Sequence, residues 1–347
     1  MRHSNLKPHF ESMNDGSYFI IDGDAEGVVL YSDIGLSFWG GVDPLTGFII
    51  DHHHPLYGEC ITGKILAIPS GRGSCTGSCV MLELIMNGVA PAALILEQKE
   101  AILPLGIMIA QEMFGRSIPV LHMQTRDFHQ LQSLSYLNIH STHCIGWSDK
   151  QDKAQQKDFI IKNATPKMID LTTDDRALLN GKKGLANQFA MKIILRMAQL
   201  YGADRLVSVT KAHIDGCIYI GPWGLLLAER LKEMGGRVAV PTSLNAISVD
   251  RRRWREQGID KSLGEPADRL AQAYSEMGAQ ETYTCAPYLL PDAPKIGDQI
   301  VWAESNAVVF ANAVLGARTM KYPDYLDICV ALTGRAPLSG CHEDRQR

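Results

Sequence analysis

The sequence predicts an α/β fold that is divided into two domains. The chain has 347 residues, which is enough for two hydrophobic cores of ordinary size. Short apolar runs typical of buried strands alternate with helix-like runs across residues 64–122, and strand, loop and helix signals recur beyond residue 200. This order is typical of parallel strands joined by right-handed crossovers. We place the domains at residues 1–160 and 170–347, and the polar stretch 148–158 is interpreted as the end of the first domain or as a linker.

The first domain contains a βαβαβ pattern. Gly88 follows the first helix at the position where a left-handed residue commonly ends a helix. Hairpin-like runs at 18–21 and 27–31 predict extra strands beside the parallel ones. The predicted βαβαβ elements are a strand at 64–68, a helix at 76–87, a strand at 92–96, a helix at 103–114 and a strand at 118–122.

Near the start of the second domain, Thr173 is expected to cap a helix, and an apolar face from Leu185 to Tyr201 predicts a helix. Four strands and four polar loops follow. The strands are predicted at 205–209, 237–240, 281–284 and 299–302, and the loops at 211–217, 242–247, 285–290 and 303–307. Ligands of open α/β sheets bind beyond the carboxyl ends of the strands. One crevice is therefore expected to collect His213, Asp215, Cys217, Asn245, Cys285 and Glu304.

Composition excludes several classes of function. The net charge of −4 and the pI near 6.3 lack the basic excess that nucleic-acid binding requires. The most apolar run, 101–110, is too short to span a membrane, and no run of signal-peptide length opens the chain. The eight cysteines have no framework spacing, which indicates reduced thiols. We therefore expect a cytoplasmic protein.

The loop at 69–78, PSGRGSCTGS, is the strongest local signal for a ligand site. Its glycine spacing fits neither a Walker A loop nor a dinucleotide fingerprint. Glycines that permit close approach, the following helix N-terminus and the cation of Arg72 predict a site for a substrate carboxylate or phosphate. The same positive field would favour an alkoxide at Ser74 or a thiolate at Cys75. The alternative is that Ser74 only caps the helix.

Three other groups have open alternatives. The run Asp51-His52-His53-His54 looks metal-binding, but consecutive side chains of an extended stretch alternate in direction, so a surface or hinge loop is favoured. His213 and Asp215 would either orient substrate or fix their own loop by hydrogen bonds. Glu304 would either cap the following helix or bind a substrate amine.

Several long segments, taken together, resemble the aconitase X family, and the resemblance covers most of residues 18–342. It implies a small swivelling β/α domain that closes over a larger three-layer αβα catalytic domain carrying an iron–sulfur cluster. Single-chain members are associated with dehydration of cis-3-hydroxy-L-proline, and two-chain archaeal members with dehydration of mevalonate 5-phosphate. The segments that carry the resemblance are LSFWGGVDPLTGFIIDHHHPLYGE, PSGRGSCTGS, KAHIDGC, VPTSLNAISVDRRRW, TCAPYLLPDAPKIGDQIVWAESNAVVFANAVLGART and LTGRAP.

The resemblance also implies site residues and a substrate class. Ser74 matches the proton acceptor, and Cys285 matches a ligand of the cluster, which is expected to be [2Fe-2S]. The substrate is expected to be a small hydroxy acid or hydroxy amino acid, and the single-chain type indicates cis-3-hydroxy-L-proline. The positions matching substrate contacts are Gly216, Cys217, Ile218, Asn245 and Ala246.

The sequence ends at Arg347, whereas the proteins it resembles continue with a further part of the catalytic domain and the other cluster cysteines. We therefore expect a C-terminally truncated, incomplete catalytic domain, because one cysteine cannot hold a cluster. Cys217 and Cys341 are disfavoured as substitutes. Three hypotheses follow: a dehydratase with impaired activity, an enzyme completed by a second chain, or a binding remnant without chemistry.

Overall fold

The computed structural model describes residues 16–140, 142–149, 156–162 and 167–344. Its first half is a closed barrel whose strands are neighbours in the order β1-β10-β9-β8-β2-β4-β6-β7. Two short strands, β3 and β5, pair with each other outside the barrel. The strands of this half are β1 (Ser17–Ile21), β2 (Ala25–Tyr31), β3 (Leu36–Ser37), β4 (Ile65–Ile68), β5 (Gly71–Arg72), β6 (Ala93–Leu96), β7 (Val120–His122), β8 (Tyr136–His140), β9 (His143–Trp147) and β10 (Gln156–Lys162).

The predicted βαβαβ unit is confirmed. Strands β4, β6 and β7 are parallel neighbours, and they are connected by α1 (Gly77–Asn87) and α2 (Ile102–Phe114). Gly88 ends α1 with a φ of 75°, a left-handed conformation that glycine adopts without steric cost. A single-turn helix, α3 (Thr125–Phe128), follows β7.

Two expectations for this half need correction. Strands β1 and β2 form where extra strands were predicted, but they do not make a hairpin: β1 pairs with β7 and β10, and β2 pairs with β4 and β8. Barrel closure uses both edges of each strand, which leaves no edge free for a hairpin partner. Residues 156–158 of the predicted linker belong to β10, whose polar residues alternate with buried ones. Residues 150–155 lie outside the described residues.

The second half begins with a helix capped one residue earlier than predicted. Thr172, not Thr173, accepts the Asp175 N–H, and the Asp175 side chain accepts the Thr172 N–H in return. A parallel sheet in the order β13-β12-β14 forms its centre, and β11 pairs with β15 beside it. The elements are α4 (Thr173–Leu179), α5 (Leu185–Tyr201), β11 (Leu206–Ser208), β12 (Lys211–Ile214), α6 (Pro222–Glu233), β13 (Thr242–Leu244), α7 (Lys261–Glu276), β14 (Ile300–Trp302), α8 (Ser305–Phe310), α9 (Leu326–Thr333) and β15 (Arg335–Pro337).

Two of the four strands predicted in this half are displaced or absent. The strand predicted at 237–240 is wrong because its N–H groups bind helices instead of a neighbouring strand. The Val238 N–H binds the carbonyl of Met277 at the end of α7, and the Ala239 N–H binds the carbonyl of Ala331 within α9. The strand forms instead at β13, inside a predicted loop, and β12 likewise occupies the start of the loop 211–217. Residues 281–284 are not a strand, although they lie beside β13: the Thr282 hydroxyl binds both the N–H and the carbonyl of Leu244, and the Thr284 N–H binds the same carbonyl.

One hydrophobic core extends through both halves. Buried side chains of α1 and α2, such as Met81 and Ile107, belong to the same cluster as Ile193 of α5 and Leu227 of α6. A second core fills the barrel and includes Phe128 of α3. The division of the chain at 160 and 170 stays a prediction.

Candidate active site

The Ser74 side chain binds a neighbouring threonine. It is half-buried between β5 and α1, its Oγ donates to Thr76 Oγ1 at 2.9 Å, and it accepts the Thr76 N–H at 3.2 Å. Thr76 itself is the N-cap residue of α1, and no side chain caps that terminus. Ser74 thus binds an N–H just before α1 begins, and the choice between a capping and a catalytic role for Ser74 stays a prediction.

A cation from the second half contacts the loop backbone. Lys321 donates from Nζ to the Gly73 carbonyl oxygen at 2.7 Å. Arg72 is exposed and pairs with Asp51 at 2.7 Å, and hydrogen bonds from the His53 N–H and from Arg72 lower the pKa of the Asp51 carboxyl. The predicted field of Arg72 is thus largely neutralised by Asp51, while Lys321, which no local sequence pattern marks, contacts the loop directly.

Cys75 and Ser78 attach the loop to the second half. Cys75 is buried, and its Sγ donates to the Ala303 carbonyl at 3.4 Å. Ser78 Oγ donates to the Asp324 carbonyl at 3.0 Å. The pKa of the Cys75 thiol is raised mainly by burial and to a smaller extent by the negative charge of Asp324. The thiolate expected at Cys75 is therefore wrong, and this residue packs the two halves together.

The carboxyl ends of β12 and β13 meet as predicted. Asn245, directly after β13, donates from Nδ2 to the Asp215 carboxylate and to Glu304 Oε2, the latter at 3.0 Å. Its Oδ1 accepts the Ala246 N–H at 2.8 Å. This amide therefore joins Asp215 and Glu304, so three of the six residues expected to line the crevice meet at the carboxyl edge of the parallel sheet.

The segment 216–218 lies in the same crevice. Gly216 and Cys217 are buried and Ile218 is half-buried. The Cys217 Sγ donates to the Asn245 carbonyl at 3.2 Å, and burial together with the charge of Asp215 raises the pKa of the thiol. A buried, protonated thiol of this kind is a packing group rather than a metal ligand.

Two buried aspartates were missed by sequence reasoning. Asp327 Oδ2 accepts the N–H groups of Asp215 and Gly216 at 2.7 and 3.2 Å, and so it holds the crevice loop in place. Asp324 packs against Gly216, where an added Cβ would lie 3.2 Å from the Asp324 Cβ. Burial raises the pKa of the carboxyl groups of Asp215, Asp324 and Asp327. Two acids in the otherwise apolar run 322–332 are the signal that could have revealed Asp324 and Asp327.

His213, Glu304 and the histidine run take the following positions. His213 lies within β12, and its Nδ1 forms a hydrogen bond with Ser243 Oγ at 2.7 Å. Burial lowers the pKa of this histidine to about 4. This favours the loop-fixing interpretation of His213. Glu304 occupies the N-cap position of α8 without capping it, because its carboxylate binds Asn245. In the run 51–54, both ring nitrogens of His54 bind protein groups, Ile34 O and the Leu56 N–H.

Cys285 is exposed beside the same edge of the sheet, one residue beyond Thr284, whose N–H binds the Leu244 carbonyl at 3.2 Å. Across the described ranges of the chain, no three side chains of His, Cys, Asp or Glu are grouped as a metal site. Cys341 is also exposed, in the segment after β15. An iron–sulfur cluster takes several thiolates, so these residues by themselves do not fit one.

Comparison with protein-family models identifies the chain. Residues 168–345 match the model described as the aconitase X first domain, and residues 17–146 match that of the aconitase X swivel domain. The chain belongs to the aconitase X family. The family resemblance and the α/β fold class predicted from the sequence are thereby confirmed.

Relatives within the aconitase X family have two activities in their names. The chain is 54% identical over 330 residues to cis-3-hydroxy-L-proline dehydratase of Pseudomonas aeruginosa, covering 94% of this chain and 56% of the relative. It is 53% identical over 334 residues to the protein of the same name from Hypocrea jecorina, covering 94% and 55%. It is 36% identical over 181 residues to the phosphomevalonate dehydratase large subunit of Methanothermobacter thermautotrophicus, covering 52% and 45%. The chain thus spans about half the length of these relatives.

In the part of this aconitase X chain that the structure describes, none of the helices has both the length and the apolar composition needed to cross a bilayer.

Proposed function

We propose that this chain acts in a hydro-lyase that dehydrates cis-3-hydroxy-L-proline to a pyrroline-2-carboxylate. The supporting observation is its identity of 54% and 53%, over 94% of its length, to two proteins named for that dehydration. Because the chain spans 56% and 55% of those relatives, the activity, substrate and partners of the whole protein are part of the proposal.

Ser74 is the proposed proton acceptor. Loss of water from a β-hydroxy amino acid requires removal of the C2 proton and departure of the C3 hydroxide. A serine hydroxyl is a weak base, so its proton must be accepted by another group and its alkoxide must be stabilised by nearby positive charge. The Lys321 ammonium on the Gly73 carbonyl is suited to stabilising the alkoxide, and the Thr76 hydroxyl at 2.9 Å fixes the direction of the Ser74 hydrogen.

Arg72 is the proposed carboxylate-binding residue. Its partner Asp51 is held in an ion pair with the exposed guanidinium, and exposed ion pairs contribute little to stability. A substrate carboxylate can therefore compete for the guanidinium without a large energetic cost. The other proposed substrate contacts belong to the second half and meet at the carboxyl edge of the parallel sheet. They are Gly216, Cys217, Ile218, Asn245 and Ala246.

An iron–sulfur cluster is generally found in dehydratases of this family. We propose that Cys285 supplies one ligand and that the remaining ligands come from a polypeptide corresponding to the part of the relatives that this chain does not span. This could be a second chain or a longer form of the protein. Since the described residues do not fit a whole cluster, we derive no step of the reaction through it.

The proposal is tested by measuring the loss of water from cis-3-hydroxy-L-proline and from mevalonate 5-phosphate. The protein is purified without air and is assayed both alone and together with any separately encoded polypeptide that supplies the remaining part. Iron and acid-labile sulfide are measured on the same samples. The proposed function is supported if Ser74→Ala abolishes turnover of hydroxyproline while Ser70→Ala, a control in the same loop, retains it. Preference for mevalonate 5-phosphate would overturn the substrate, and absence of iron and turnover in both preparations would favour a binding role.

A further inference from the structure

Two opposite charges lie side by side next to the serine loop. The Arg72 guanidinium donates to Asp51 Oδ2 at 2.7 Å. Arg72 belongs to β5, which pairs with β3 outside the barrel. It precedes Ser74 by two residues, so the Cα atoms of Arg72 and Ser74 are at most about 7 Å apart. The pair is therefore close to the proposed proton acceptor.

Asp51 is fixed in position by its own segment as well as by Arg72. Its Oδ1 accepts the His53 N–H at 3.0 Å, a bond from an aspartate side chain to the backbone two residues further on. Its backbone N–H donates to the Gly41 carbonyl at 3.3 Å, and its carbonyl accepts the His54 N–H at 3.0 Å. The histidine run 51–54 thus holds the Asp51 carboxylate in place.

Both side chains of the pair keep unused hydrogen-bonding positions. A guanidinium has five N–H donors, and an ionised carboxylate has about four acceptor positions. Among the described residues, hydrogen bonds use one donor of Arg72 and two acceptor positions of Asp51. The Arg72 side chain is 46% exposed and the Asp51 side chain 17% exposed. The pair can therefore bind a ligand in which an anionic and a cationic group are close together.

An α-amino acid has this arrangement of charges. In cis-3-hydroxy-L-proline the carboxylate and the ring ammonium are both bonded to C2, the carbon that loses its proton in the proposed reaction. If the carboxylate binds Arg72 and the ammonium binds Asp51, each of the four charges has neighbours of opposite sign. Binding of both groups would fix C2 beside the loop that carries Ser74.

We propose that Asp51 is a substrate-binding residue that accepts the ring ammonium of the substrate while Arg72 binds its carboxylate. This inference rests on the proposed function and adds recognition of the amino group to it. Glu304, the other acceptor considered for a substrate amine, is held by the Asn245 amide at 3.0 Å. The pair selects an amino acid over a hydroxy acid that has no nitrogen.

A binding experiment tests this role without turnover. L-Proline and cyclopentanecarboxylate share a five-membered ring and a carboxylate, but only proline has an ammonium group. We expect Asp51→Asn to weaken the binding of proline by about 10- to 100-fold, the effect of losing a hydrogen bond between charged groups. Cyclopentanecarboxylate should bind as well as before or more tightly, because Asp51 no longer competes for Arg72. Isothermal titration calorimetry measures both affinities, on the chain alone and with the completing polypeptide.

Two further variants serve as comparisons. Arg72→Gln should weaken the binding of both ligands, since both contain the carboxylate. Asp43 accepts the Leu45 N–H at 2.9 Å, in a turn like that of Asp51 and His53, so Asp43→Asn should leave both affinities unchanged. Asparagine at position 51 keeps an oxygen that can accept the His53 N–H, and circular dichroism checks that the variant is folded.

Three results of the binding experiment would overturn the role of Asp51. One is a wild-type protein that binds proline no more tightly than cyclopentanecarboxylate, or binds neither, which needs no variant to establish. Another is an equal loss of affinity for both ligands in Asp51→Asn. The third is proline binding that is weakened by Glu304→Gln but not by Asp51→Asn, which would assign the amine to Glu304.

The inference and the proposed function fail in different ways. In the dehydration assay, Asp51→Asn should raise the KM for hydroxyproline by about 10-fold or more. Wild-type turnover of hydroxyproline, with KM and proline affinity unchanged in Asp51→Asn, would support the proposed function and overturn the role of Asp51. Absence of turnover in wild-type protein, together with proline binding that depends on Asp51, would overturn the proposed reaction and support amino-acid recognition by the pair.

Discussion

Glu83 joins the two halves through a carboxyl group that should make stability depend on pH. It lies on α1 and is 1% exposed. Its Oε1 accepts the N–H groups of Trp223 and Gly224 at the start of α6, each at 2.9 Å. Oε2 has no hydrogen-bond partner among the described residues and lies so close to Gly221 that an added Cβ there would be 2.2 Å from it.

The size and sign of the effect follow from the pKa of Glu83. Burial raises this pKa from 4.5 to about 7, against the opposing effect of the two N–H groups. The folded state therefore binds the proton more tightly than the unfolded state, so this contribution to stability is fully present below pH 4.5 and is lost as the pH rises through 7. At 1.36 kcal/mol per pKa unit, the loss is roughly 3 kcal/mol.

Glu83→Gln is the variant that isolates this contribution. The glutamine carbonyl can accept the same two N–H groups, and its NH₂ replaces the protonated Oε2. We expect the unfolding free energy of the variant, relative to wild type, to increase by up to about 3 kcal/mol between pH 4.5 and pH 8. Urea unfolding followed by circular dichroism across that range measures the difference. Any free-energy cost of burying the glutamine NH₂ group does not vary with pH, so it does not change how the stability difference depends on pH.

A constant difference between Glu83→Gln and wild type over the whole pH range would refute this reasoning. It would mean that Glu83 is ionised in the folded protein at all these pH values. Glu59→Gln is the control, because Glu59 is a half-exposed partner of Lys64. Removing its charge should not change how stability varies with pH to a comparable extent.

Three further outcomes are expected. Gly106→Ala places a Cβ 2.3 Å from the Ser78 carbonyl oxygen, and the resulting overpacking of α1 against α2 should cost about 1–3 kcal/mol in thermal or urea unfolding. His213→Gln should reduce the loss of stability that occurs as the pH falls from 6.5 towards 4. Burial lowers the pKa of His213 to about 4, so protonation of this residue favours unfolding. Urea unfolding repeated across this pH range measures the difference between variant and wild type. Arg72→Gln should leave the midpoint of urea unfolding nearly unchanged, since the Arg72 guanidinium is exposed and such ion pairs contribute little. The same variant should raise the KM for substrate in a steady-state assay.

The parts of the fold that could be predicted are those with local determinants. The crossover unit from β4 to β7 has strong apolar strands, and Gly88 ends its first helix. In the second half, Val238 and Ala239 look like a strand because their side chains are apolar. Their N–H groups instead bind Met277 and Ala331, which are distant in sequence and which no local pattern can identify.

The site could be predicted to a similar degree. Glycines and hydroxyls concentrate around Ser74, so the loop was identifiable, and the loop positions indicated that Asn245, Asp215 and Glu304 meet. Lys321 contacts Gly73 across a separation of 248 residues, and Asp324 is held by Ser78 across 246. Those contacts depend on how the halves dock, which single-sequence patterns do not encode.

The docking of the two halves has a consequence for the proposed chemistry. Arg72 pairs with Asp51 within the first half, so the local charges of the serine loop largely cancel. The remaining cation, Lys321, belongs to the second half. A separation of the halves would therefore remove this positive charge from Ser74. The serine would be basic only when docked, which would confine proton abstraction to the closed arrangement.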